Sequence, residues 1–129
     1  MTRSTLILVG ALAALASAAV AADRRAIISA YGDPAGFSAA RGKAFFEARH
    51  TGGKPETPSC TTCHTANPRA EGRTRAGKPI APMAVSANPE RFTDPAKVEK
   101  WFRRNCNSVL GRECTAKEKG DVLTYLSSL

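Results

Sequence analysis

The five residues Cys60-Thr61-Thr62-Cys63-His64 constrain this chain more than any other stretch of it. Two thiols three positions apart, followed at once by an imidazole, match the spacing with which a polypeptide forms thioethers to two haem vinyl groups and sets a histidine on the iron. Two other chemistries use a C-x-x-C pair. A thioredoxin-like redox pair sits in a βαβ setting, and no such pattern surrounds these residues. A four-ligand zinc site needs a second pair at similar spacing, but Cys106 and Cys114 have seven residues between them. The motif therefore predicts one covalent haem c held by Cys60 and Cys63, with His64 as an axial iron ligand.

Composition fits a chain that folds around such a group. Of 129 residues, 43% are hydrophobic and 23% charged, which excludes a disordered or fibrous polypeptide, while only 6% are aromatic. The length allows one domain and argues against two. A large flat apolar ring supplies core that a short chain poor in aromatics lacks, so the fold is expected to depend on haem. The net charge of +8 suits an acidic partner. Nucleic acid is a poor candidate, because Lys and Arg are scattered and no binding motif accompanies them.

Residues 1–22 read as a secretory signal peptide: Arg3 is the positive region, Leu6 to Val20 is apolar, and Ala19-Val20-Ala21 offers a small-x-small cleavage site. The run is too short and too rich in alanine for a membrane anchor, so no stable membrane insertion is expected after cleavage. This predicts a periplasmic protein with a single domain at 23–129, in a compartment where thiols end up oxidised, metallated or alkylated.

The mature chain reads as all-α. A short helix is expected over Asp23–Tyr31, ended by Gly32-Asp33-Pro34. A second follows Ser38 as cap, with Ala44, Phe45 and Ala48 at helical spacing and Gly42 one turn before Phe46. A glycine there costs about 1 kcal/mol of helix propensity, which implies that another helix passes close by. Thr93-Asp94-Pro95 is a cap followed by proline at the first helical position and opens a third helix. Thr115 and Glu118 form a capping box before a stripe of Val122, Leu123, Leu126 and Leu129, with Tyr125 beside it. Terminal helices crossing at a glycine are the expected scaffold. Between His64 and Phe92 lies a long loop without sustained period, whose Arg69, Arg73, Arg75 and Lys78 are candidate partners for haem propionates.

Three residues compete for the far side of the iron. Met83 is the only methionine after the signal peptide, and methionine is a common sixth ligand of electron-transfer cytochromes. His50 ends a helix, where histidine more often sits at the surface near the last carbonyls. Asn105 is the third. With Val98 at zero and 100° per residue, Trp101 falls at about 300°, Phe102 at about 40° and Asn105 at about 340°, in the middle of the apolar stripe, with Asn107 opposite at about 180°. A buried amide without a partner costs about 1–3 kcal/mol, so Asn105 must meet a carbonyl, a water molecule or the iron. Beside it, Cys106 and Cys114 can close a small ring that contributes about 2.5 kcal/mol.

CTTCH, TRAGKPIAP, RFTDPAKVEKW and RNCNSVLGREC together resemble the sphaeroides haem protein family, class I cytochromes c that bind oxygen; the similarity runs from about Phe37 to the C-terminus. The resemblance implies the class I cytochrome c fold, His64 and Asn105 as the axial ligands of oxidised haem, and a disulfide between Cys106 and Cys114. It also implies a site that handles O2, NO or CO and receives electrons from a diheme cytochrome c or another acidic redox donor. Oxygen reduction, nitric oxide dioxygenation and gas sensing all use such a site, and the residues do not choose among them. The alternative is a plain electron carrier with a permanently six-coordinate haem through Met83.

Overall fold

Local signals at the helix starts place most of the backbone. In the computed structural model, which describes residues 19–129, Ser38 Oγ accepts from the Arg41 amide and starts helix α2 (Ala39–Glu47). Asp94 caps α4 (Pro95–Leu110), with Pro95 supplying the preset first turn. Thr115 and Glu118 form the reciprocal capping box of α5 (Ala116–Ser127). Before them, residues 19–29 form α1, and Thr61–His64 form the single turn α3. The body of the predicted signal peptide, residues 1–18, lies outside the described residues; Ala19–Ala22 belong to α1, which therefore begins ahead of the expected Asp23 and ends before Tyr31. Among the described residues no helix is long and apolar enough to cross a membrane.

Helices α2 and α5 cross at Gly42. A Cβ built there would stand 2.0 Å from the Asp121 carbonyl oxygen and 2.9 Å from Tyr125 Cβ, so only glycine lets the two backbones approach this closely. The apolar face of α2 is Gly42 and Phe46, with Ala44 exposed rather than inward. Phe46, Val122, Tyr125 and Leu126 form one buried cluster, on which Cys60, Met83 and Leu129 pack. Ile27, Val98 and Leu123 form a second. Phe92 and Phe102 touch both. Phe92 has φ 60°, the left-handed region, which is an outlier for a bulky side chain; packing on both clusters is what offsets that strain.

The segment after His64 is less irregular than expected. Gly72–Arg73 (β1) pairs antiparallel with Pro79–Ile80 (β2), Gly72 opposite Ile80. It remains a small hairpin in an otherwise helical chain.

One carboxylate ties the crossing together. Asp121 is buried, accepts from the Ser38 amide at 2.7 Å, and pairs with Arg41 at 2.8 Å. Burial alone would raise its pKa, but the Arg41 and Ser38 hydrogen bonds overcome burial and hold it below the ordinary carboxylate range. A depressed folded pKa contributes stability that is present above the unfolded value and lost as pH falls through the folded one. Asp121→Asn is therefore expected to melt below the parent at pH 7, and thermal unfolding at falling pH should show the gap closing below about pH 4.

Candidate haem site

The turn α3 presents Cys60, Cys63 and His64 together, and several contacts fix it. Ser59 Oγ donates to the Phe46 carbonyl at 3.3 Å and accepts from the Thr61 amide at 3.2 Å, joining the turn to the end of α2. The His64 amide donates to the Cys60 carbonyl at 3.1 Å. Gly72 of the hairpin lies against the backbone of Cys63 and His64, where a Cβ would come within 2.1 Å of the Cys63 carbonyl oxygen. Thr65, at φ 62°, ends the turn.

Both thiols are unpaired and half-buried. Burial, reinforced by neighbouring Cys63, pushes the Cys60 thiol up to about 11, the opposite of the lowered pKa that a thioredoxin-like pair needs. Burial, with the Arg91 cation adding to it, pushes His64 down to about 4, so its imidazole is neutral. Its Nδ1 is buried without a hydrogen-bond partner, and the ring lies 6.1 Å from that of Phe46. An orphaned neutral imidazole beside two unpaired, half-buried thiols fits a covalent haem c. It does not fit zinc: Cys106 and Cys114 are bonded to each other, with Cα atoms 5.6 Å apart, and among the described residues no cluster of three His, Cys, Asp or Glu side chains is present.

The three rivals for the far side of the iron stand in different surroundings. His50 is committed elsewhere: its Nε2 is 2.9 Å from the Phe45 carbonyl and its ring lies on that of Phe45. Met83 packs on the Phe46–Leu126 cluster, and its amide donates to the Pro68 carbonyl. Asn105 is not at the centre of the buried stripe. Val98, Cys106 and Val109 are the buried residues of α4, so with Phe102 the stripe centres roughly 55° away from Asn105. Cys106 and Val109 pull the stripe round, and Asn105 is left on the exposed shoulder with Trp101.

The four basic residues proposed for the propionates are exposed. Arg73 reaches the Gly77 carbonyl and pairs with Glu71 at 3.5 Å, and Arg69 reaches Ser86 Oγ. Two arginines that sequence reasoning missed organise the loop instead. Arg91 donates to the carbonyls of Pro82 and Ala81, while buried Arg24 of α1 donates to those of Arg91 and Pro89. Their acceptors are backbone oxygens, which leave no mark in a sequence.

A C-x-x-C-H turn set against two helices that cross at a glycine defines the class I c-type cytochromes. Residues 33–126 match a family described as a domain of unknown function, DUF1924. Over 120 residues, 90% of this chain and 93% of the other, the protein is 54% identical to the cytochrome c-type protein SHP of Cereibacter sphaeroides. Oxidised SHP, an oxygen-binding cytochrome c, superposes with a TM-score of 0.78 at 55% identity, covering 82% of this chain and 96% of that one. Cytochrome c'' of Methylophilus methylotrophus is 40% identical over 86 residues, 66% of this chain and 60% of that protein. Its oxidised crystal structure superposes with a TM-score of 0.65, at 32% identity over 81% of this chain and 93% of the other. The chain belongs to the sphaeroides haem protein family, and it is a monohaem cytochrome carrying covalent haem c.

Proposed function

We propose that this protein is an exported cytochrome whose haem opens on reduction to bind O2, NO or CO. Cys60 and Cys63 would hold the haem covalently, His64 would be its permanent iron ligand, and Asn105 the releasable one. Haem, when bound, supplies an iron that takes up one electron and a coordination position for a small ligand. Asn105 offers a neutral amide oxygen, a hard and weak donor that suits iron(III) better than iron(II). Asn105 would therefore hold an oxidised iron better than a reduced one, leaving that side of a reduced haem open to a small ligand.

The observation that carries this reading is the place of Asn105: an exposed amide outside the core, fixed through its next residue by the Cys106–Cys114 disulfide to the start of α5. The backbone is firm there while the side chain is uncommitted, which is what a ligand that lets go without unfolding the helix requires. Likeness to SHP, an oxygen-binding cytochrome c, supports the small-ligand chemistry. The absorption spectrum of the reduced protein with and without CO tests it. A five-coordinate reduced form whose Soret band shifts on adding CO is expected; a six-coordinate reduced form indifferent to CO means a plain electron carrier.

A further inference from the structure

Helix α4 carries more than Asn105. Around its axis, Lys100, Arg104 and Lys97 fall at about 200°, 240° and 260°, Trp101 at about 300° and Asn105 at about 340°. The three cations are exposed, and Trp101 is an exposed large hydrophobic residue, 45% accessible. Lys100 Nζ lies 5.8 Å and the Arg104 guanidinium 5.3 Å from the Trp101 ring centre, so both charges lean on the indole. The one carboxylate of α4, Glu99, is already taken by the Tyr31 hydroxyl and by Lys119 at 3.0 Å. The face is thus cationic, edged by one tryptophan that stands between the cations and Asn105.

We infer that this face of α4 is where an acidic redox protein docks to deliver its electron. Tryptophan and arginine are the residues that most often dominate binding energy at protein interfaces, and unanswered rim cations steer an acidic partner. The rival basic patch, Arg73, Arg75 and Lys78 on the hairpin, has no aromatic residue and sets Glu71 against Arg73. Docking on α4 brings the donor to the helix that bears the releasable ligand, so arrival of the electron and withdrawal of Asn105 occur at one surface. The inference rests on the reading of this chain as a redox-active haem protein.

Stopped-flow reduction of the oxidised haem protein by flavodoxin hydroquinone, an acidic flavoprotein donor, tests it. The anionic flavin gives up one electron to become the neutral semiquinone, iron(III) becomes iron(II), and no proton moves. The variant Lys97→Gln/Lys100→Gln/Arg104→Gln is expected to be reduced on the order of tenfold more slowly at low ionic strength, with a flattened salt dependence. Reduction by the uncharged lumiflavin semiquinone should be unchanged. Arg73→Gln/Arg75→Gln/Lys78→Gln removes the same charge and should cost less than about twofold, which separates local docking from net charge. Trp101→Ala removes no charge and should slow the flavodoxin reaction at low and high salt alike. An equal loss in the hairpin variant, or a parallel loss with lumiflavin, overturns the assignment. So does an unchanged flavodoxin rate in an α4 variant that no longer binds phosphatidylserine vesicles, which would make the face a lipid contact. The lumiflavin arm reports the haem alone, so failure of the redox reading is distinguished from failure of docking.

Discussion

Asn105→Ala is expected to convert the oxidised protein from a six-coordinate low-spin to a high-spin spectrum, while Met83→Leu leaves that spectrum unchanged. The oxidised variant should also bind added imidazole or azide at least about tenfold more tightly. An internal ligand that occupies its position most of the time lowers the apparent affinity of any competitor by the fraction of time the position is free, and removing it lifts that penalty. CO affinity of the reduced form should change little if, as proposed, the amide no longer holds the reduced iron. The two surroundings make this a sharp test: Met83 is engaged with the Phe46–Leu126 cluster and anchored through its amide to Pro68, whereas Asn105 stands on the open shoulder of α4. The reverse pattern, with Met83→Leu altering the oxidised spectrum and Asn105→Ala silent, would make this a permanently six-coordinate carrier.

Much of the scaffold was legible because its signals are local. Ser38, Asp94 with Pro95, and Thr115 with Glu118 each mark a helix start within one turn of sequence, and all three helices begin there. Gly42 was legible for a different reason: a glycine inside a helix is unfavourable unless something needs the space, and α5 does. The stripe on α4 was read about 55° off, because Trp101, which is exposed, was counted among its apolar members while Val109 and the half-cystine Cys106 were not. That error put Asn105 into the core, where the structure keeps it on the flank. The hairpin escaped notice because strands of two residues have no period to detect. The grip of Arg24 on backbone carbonyls depends on residues more than sixty positions apart being folded together, and Arg91, which reaches carbonyls nine and ten positions away, would have read only as one more loop cation.

Gly42→Ala is expected to be strongly destabilising although it adds a single methyl group. The new Cβ would stand 2.0 Å from the Asp121 carbonyl oxygen and 2.5 Å from the Asp121 carbonyl carbon, both backbone atoms of α5 with no rotamer by which to retreat. Either the helices separate, loosening the contacts of Phe46 with Val122, Tyr125 and Leu126, or one of them bends. Overpacking of this kind costs about 1–3 kcal/mol or more, and alanine returns about 1 kcal/mol of helix propensity. Because the obstruction is main chain on both sides, the cost should lie at the upper end, leaving a net loss near 2 kcal/mol. For a domain of this size that lowers Tm by roughly 8–10 °C, measured by circular dichroism on the haem-loaded protein. Gly36→Ala is the matched control. It adds the same methyl where nothing lies within 4 Å and where φ is not positive, so its Tm should stay within about 2–3 °C of the parent or rise slightly, since alanine narrows the unfolded ensemble. Equal effects from the two substitutions would mean that the closeness of α2 to α5 is not what makes Gly42 necessary, and that the two helices can part without cost to the fold between them.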